Sequence, residues 1–190
     1  MLKKTDKTSF KILRLLLIPT ILVATPFLNK IYDAKAGIEF QWDQGSGFKK
    51  LKWYQTENKR KFRNRIYFFL RPRDRNADLL KIDLAIPKTF KSTLKTEKIN
   101  LCKVQIGGFN SRTKCIENIP ADFEIKNDES SLKRLFIYPY SPIPSSKDSY
   151  AIVLKVFNPK RTGMYQFHSY GQQKGGSASS YLGSWTILID

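Results

Sequence analysis

Histidine and cysteine are almost missing from this 190-residue sequence, with one of the first, His168, and two of the second, Cys102 and Cys115. Two cysteines and one distant histidine cannot supply the four ligands of a structural zinc site. Acids are also scarce, at 16 Asp and Glu against 34 Lys and Arg. Glycoside hydrolysis needs two carboxylates flanking a cleft. The candidate pairs, Asp122 with Glu124 and Asp128 with Glu129, are close in sequence only and look like surface charge. No G-x-S-x-G elbow is present. His168 and Ser169 are neighbours, and neighbours on a strand point to opposite faces. That disfavours a triad of Ser169, His168 and either Asp148 or Asp190. Gly107-Gly108 and Gly175-Gly176 lack the rest of any phosphate-cradling or dinucleotide pattern. No catalytic residue, cofactor or metal is assigned, and the chain is read as a non-enzyme.

A membrane-length hydrophobic run is missing too. The longest uncharged apolar stretch, Leu15 to Leu28, has 14 residues, where a span needs about 20. Pro19 and Pro26 weaken it further as a helix. Lys3, Lys4, Lys7, Lys11 and Arg14 precede it, and Ala34-Lys35-Ala36 follows. A positive start, a short apolar run and a small-residue site are the signature of a secretory signal peptide. The expected organisation is a leader over 1–36 and one domain over 37–190. No cysteine lies near the leader, which excludes a lipid-modified cysteine anchor. Export to a periplasm, a lumen or the exterior is expected, with an uncleaved N-terminal anchor as the alternative. The leader carries seven Lys/Arg and two Asp/Glu, which leaves 27 cations against 14 acids in the remainder. The basic character therefore belongs to the domain.

In an exported chain an even cysteine count favours a disulfide. Gly107-Gly108, a hairpin-type turn signal, lies between Cys102 and Cys115 and would let them face each other. A Cys102–Cys115 bridge is expected.

The rest of the chain is rich in short strand-like runs. Alternating or aromatic stretches occur at 38–42, 65–70, 80–86, 101–106, 115–119, 123–125, 132–138, 150–157, 164–170 and 184–189. Such period-two runs of β-branched and aromatic residues are strand signals. Pro87, Pro139 and Pro159 mark strand ends. Lys88 to Lys98 is the nearest approach to a helical pattern, and its Thr and Ser content argues for loop or edge strand. Gly171 to Ser180 reads as a long loop in the last hairpin. Gly163-Met-Tyr165-Gln-Phe167 matches a tyrosine corner, with Phe167 where a second inter-sheet cysteine would stand. The expected fold class is all-β, an antiparallel immunoglobulin-like β-sandwich preceded by a signal peptide. Trp42 and Trp185 alternate with polar residues, so core positions are expected for them rather than a sugar-stacking platform with Trp53.

Several phrases together resemble a family of uncharacterised exported proteins, mostly cyanobacterial, built on a single domain of unknown function. They are Ile38-Glu-Phe-Gln-Trp42, Leu51-Lys-Trp-Tyr-Gln55, Tyr67-Phe-Phe-Leu-Arg-Pro72, Leu154-Lys-Val-Phe-Asn-Pro159, Gly163-Met-Tyr-Gln-Phe167 and Tyr181-Leu-Gly-Ser-Trp185. The resemblance covers about residues 37 to 190. It implies export and a β-rich domain, and it brings no activity and no site residues.

The strongest candidate site is a basic belt of Lys49, Lys50, Lys52, Lys59, Arg60, Lys61, Arg63, Arg65, Arg71, Arg73 and Arg75, opposed only by Glu57 and Asp74. Such a stretch raises the local potential and attracts anions. Interleaved aromatics would also suit single-stranded nucleic acid, which an exported protein does not normally meet. The expected partners are anionic envelope components, including a membrane surface, or an envelope protein. Solvated loops and strand faces remain the plainer reading of the belt. Two other readings are an envelope hydrolase with an unrecognised site and an assembly factor that pairs a free sheet edge with a client.

Overall fold

A computed structural model describes residues 47–108, 111–127 and 132–190. The leader, the run at 38–42 and the pair Asp128 and Glu129 lie outside the described residues. Within them the chain forms β1 (Trp53–Gln55), β2 (Arg63–Leu70), β3 (Leu79–Ile86), β4 (Ile99–Gln105), β5 (Lys114–Asn118), β6 (Ala121–Asn127), β7 (Lys133–Pro139), β8 (Tyr150–Phe157), β9 (Gly163–Gln173) and β10 (Ser179–Ile189). These strands build two five-stranded sheets, in the orders β1-β2-β8-β4-β5 and β10-β9-β3-β7-β6. Every pairing within them is antiparallel. The protein is an antiparallel β-sandwich of immunoglobulin-like type.

Alternation decides which side chains are enclosed. Ile66, Phe68 and Leu70 of β2 and Ile152, Leu154 and Val156 of β8 turn inward. They meet Leu84, Leu135, Phe167, Trp185 and Ile187 of the other sheet in one core. Phe68 stacks on Trp185 with centroids 4.8 Å apart and meets Phe167 at 4.9 Å. The Trp185 indole N–H donates to the carbonyls of Lys52 (3.1 Å) and Phe69 (3.2 Å), so its burial leaves no unpaired donor. Fully enclosing each such side chain contributes about 1.5–3 kcal/mol. Trp185 is thus a core residue, as its alternation suggests. Trp53 packs half-buried on the core edge.

The tyrosine corner forms. Tyr165 donates its hydroxyl to the carbonyl of Arg161, four residues back, at 2.6 Å. Cys102 and Cys115 are joined, linking β4 to β5. The bridge lies on the outer side of its sheet, in a second small cluster with Tyr67, Phe69, Val104, Ala151 and Val153.

Two expectations need correction. β1 was not anticipated: its three residues are too few to show a period. The last hairpin loop is only 174–178, because β9 and β10 run well into the Gly171–Ser180 stretch. Gly171 is a strand residue there for reasons of space. A Cβ would stand 2.8 Å from Leu182 Cδ1 and 3.0 Å from Leu79 Cδ2. Gly183 sits at a bulge with φ +142°, and a Cβ there would stand 2.7 Å from the Lys49 carbonyl. That clearance lets the Lys49–Leu51 segment hydrogen-bond to Ser184 on both sides, through Ser184 N to Lys49 O and Leu51 N to Ser184 O, each 2.8 Å.

Replacing Phe167 with Ala should cost about 3–5 kcal/mol by opening a core cavity. Cys115→Ser should cost about 3 kcal/mol, through the lost restraint on the unfolded chain. Urea unfolding monitored by tryptophan fluorescence reads both. A change under 1 kcal/mol for Phe167→Ala would contradict the packing described.

Candidate anion-binding site

The basic belt is contiguous in sequence but not in space. β2 runs through its middle, and eight extended residues at about 3.3 Å each separate its ends by roughly 26 Å. Lys49, Lys50, Lys52, Arg71, Arg73 and Arg75 gather near the Leu70 end. Lys59, Arg60, Lys61, Arg63 and Arg65 gather at the opposite end.

Two of the Leu70-end arginines are structural. Arg71 pairs with the buried Asp74 carboxylate at 2.9 Å. Arg75 is itself buried. Its guanidinium donates to the carbonyls of Leu70 and of Asp148 (2.9 Å) and lies over the Tyr150 ring at 4.8 Å. Burial pulls its pKa below the ordinary arginine value. It fastens the end of β2 to the segment that leads into β8, and it has no face left for a ligand. Lys49, Lys50, Lys52 and Arg73 are exposed, and Lys49 reaches the Arg73 carbonyl at 3.3 Å.

The other end is different. Arg63 and Arg65 point outward from β2, and Lys155 and Phe157 point outward from β8. The register places Arg63 opposite Phe157 and Arg65 opposite Lys155. Arg63 lies over the Phe157 ring at 5.5 Å. Arg65 and Lys155 are like charges directly across a strand pair, which destabilises a sheet. Lys95 and Lys98 join them from the 87–98 strap, which crosses from β3 in one sheet to β4 in the other. Together with Thr56, Asn64, Thr93 and Val156 these groups line an open groove of about 730 Å³. None of the described lining residues is acidic, and none of the five cations is in an ion pair with another described residue.

Both walls of the groove are fixed. The Asn64 side chain accepts from the amides of Thr56 and Glu57, each at 3.2 Å, and donates to Asn158 Oδ1 at 2.8 Å. Asn158 donates in turn to the carbonyls of Glu57 (3.2 Å) and Lys59 (2.8 Å). On the other side Ser92 Oγ donates to the Phe157 carbonyl at 2.7 Å. Phe90 anchors the strap in the core, edge-on to Tyr165 (5.3 Å) and Phe167 (5.0 Å). Sequence reasoning missed Lys95, Lys98 and Lys155. The outward alternation of Lys155 and Phe157 on β8 was visible, but its pairing with β2 was not.

The hydrolytic candidates do not assemble. Ser169 is fully buried on the core side of β9, and its hydroxyl finds no hydrogen-bond partner. His168 faces outward and bonds instead to Ser184 Oγ at 2.7 Å, which Tyr181 also meets at 2.7 Å. Ser184 is fully buried, so it cannot reach a substrate. Asp148 pairs with Lys103 at 2.8 Å, and Asp190 accepts from Asn58 at 2.6 Å. Asp122 accepts from Tyr140 (3.0 Å), while Glu124 pairs with Lys126 (2.8 Å) on the same edge strand, β6. No group of three or more His, Cys, Asp or Glu able to hold a metal occurs among the described residues.

The chain belongs to the family described as Protein of unknown function (DUF2808), which matches residues 42–189. No curated protein matches it. Similar solved structures include BslA, a bacterial hydrophobin, at 11% identity and TM-score 0.44, covering 75% of this chain and 95% of that one. A collagen-binding domain from a Staphylococcus aureus adhesin gives 15% and 0.38, with 72% and 95% covered. ACE19, the collagen-binding subdomain of the Enterococcus faecalis surface protein ACE, gives 10% and 0.36, with the same coverage.

Two outcomes follow from the geometry. Arg75→Met should lower stability by about 2–4 kcal/mol, because buried carbonyls lose a charged donor, and should leave anion binding unchanged. A stable Arg75→Met variant with weakened binding would overturn this assignment. Burial also lowers the His168 pKa below its ordinary 6.5. The unfolded chain then binds the proton more readily than the folded one. Stability should fall as pH drops below that value and recover as pH rises. Thermal melts at about pH 5 and about pH 7.5 should show a smaller difference for His168→Gln than for the unaltered protein.

Proposed function

We propose that the protein is an exported, non-enzymatic binding module of the cell envelope. Residues 1–36 are its removable leader and residues 37–190 the working domain. It engages anionic envelope components through the end of the sandwich that carries Arg63, Arg65, Lys95, Lys98 and Lys155. The observation that carries this reading is the Arg65–Lys155 register pair. Two cations stand face to face, with no carboxylate among the described groove residues. Like charges placed this way cost about 0.2–1 kcal/mol, and an anion seated between them removes that cost. The disulfide supports delivery to an oxidising compartment. Lys59, Arg60 and Lys61 extend the positive field beyond the groove.

Lys155→Glu tests the proposal. It should raise stability by a few tenths of a kcal/mol to about 1 kcal/mol by relieving Arg65. It should also weaken binding to lipopolysaccharide in about 0.1 M salt at least tenfold. A control reversal at the Leu70 end, Lys49→Glu, should leave binding at that salt within about twofold, since the two ends then lie beyond a Debye length of roughly 10 Å. Equal loss from both reversals would reduce the interaction to net charge alone.

A further inference from the structure

The strap has a groove on each side. The second, of about 560 Å³, is lined by Ile86, Pro87, Phe90, Ser92 and Leu94, and by Lys88, Lys91 and Lys133. Thr93 lines both grooves. The described lining of the second groove is again free of acids, and its three lysines make no ion pair with a described residue. Positive groups therefore continue from β2 and β8, over the strap, to the start of β7. From the core-anchored Phe90 and the tethered Ser92 it follows that the strap is held in place, so both grooves exist before any ligand arrives. Preformed sites avoid the ordering cost that weakens binding by flexible loops.

We infer that the two grooves form one track for a linear acidic polysaccharide, which lies in the first groove, crosses the strap at Thr93 and enters the second. This rests on the anion-binding reading above and names the class of ligand. Shape favours a chain over a bilayer. A planar headgroup layer rests on rims, whereas Thr56, Thr93, Val156 and Phe157 line a concavity that a single strand can enter. Threonine hydroxyls suit sugar hydroxyls, and the cations suit carboxylates spaced along a chain. A nucleic-acid strand would need aromatic faces for its bases. Phe157 is the one aromatic among the described residues of the first groove, and Arg63 already lies over its ring. Joining two weak subsites through one chain raises affinity without any new kind of contact.

The test uses the full-length protein, exported with its own leader, and oligogalacturonates of defined length, which carry one carboxylate per sugar. Short oligomers should bind weakly, and chains long enough to fill both grooves should bind at least tenfold more tightly. Lys155→Glu should weaken binding of all lengths. The exposed pair Lys88→Glu and Lys91→Glu should remove the gain of the long chains and leave the short ones within about twofold. Unchanged melting temperatures exclude a folding defect. Affinity that does not rise with length, or long-chain affinity indifferent to Lys88 and Lys91, would overturn the track while leaving anion binding intact. Tighter binding to phosphatidylglycerol vesicles, or to a single-stranded oligonucleotide of equal charge, would overturn the polysaccharide assignment. No binding of any of these anions at low salt would instead remove the anion-binding reading itself.

Discussion

One aromatic contact chain holds the site in place. Phe68 belongs to one sheet, Trp185 and Phe167 to the other, and Phe90 to the strap that joins them. Each ring meets the next at 4.8 to 5.0 Å. Phe90 is the only one of the four that is not on a strand, and its burial decides the path of everything after it. From Phe90 the chain passes Ser92, tied to the end of β8, and reaches Lys95 and Lys98 at the groove. The cations on the strap are therefore placed by packing. Their own mutual repulsion would scatter them.

The two faces of the β2–β8 pair show how packing outweighs charge. On β2 and β8 the inward residues, Ile66, Phe68, Ile152 and Leu154, are fully enclosed. Each contributes about 1.5–3 kcal/mol, against a repulsion of at most about 1 kcal/mol between Arg65 and Lys155. Register follows the core, because a one-residue slip would turn every inward side chain outward. The repulsion is thus tolerated at a small fraction of the core energy.

Much of the fold was legible because its strands are long enough to show their period. Nine of the described strands correspond to alternating or aromatic runs, and the tyrosine corner and the disulfide were readable from local spacing. β1 was hidden by its length. The extent of β9 and β10 was hidden by the stretch from Gly171 to Ser180, which read as loop; Gly171 in fact makes room for Leu182 and Leu79 within the sheet. The candidate site was legible only in sign. A run of cations is visible in any sequence, but its division into two ends depends on β2 being a straight strand. Completion by Lys95, Lys98 and Lys155 depends on which strands pair. The burial of Arg75 had no local signal at all, because its partners are carbonyls of Leu70 and of Asp148, 73 residues away.

The scarcity of acids explains why the surplus charge collects where it does. Asp74, Asp83, Asp148 and Glu124 each hold an ion pair. Asp78 accepts the Ser145 amide, and Glu57 accepts the amides of Asn58 and Lys59. These carboxylates serve hydrogen bonds that hold loops and strand faces, so they cannot neutralise cations elsewhere. Ionic screening limits their influence to about 8–10 Å, well short of the length of β2. The potential at the groove is therefore set by the groups that line it and by the adjacent Glu57 and Glu97. Total charge describes the molecule poorly: the Leu70 end holds more belt residues than the other, yet two of its arginines are fastened to the fold. At the Arg63 end, Arg63 and Arg65 join Lys95, Lys98 and Lys155 in lining a common concavity.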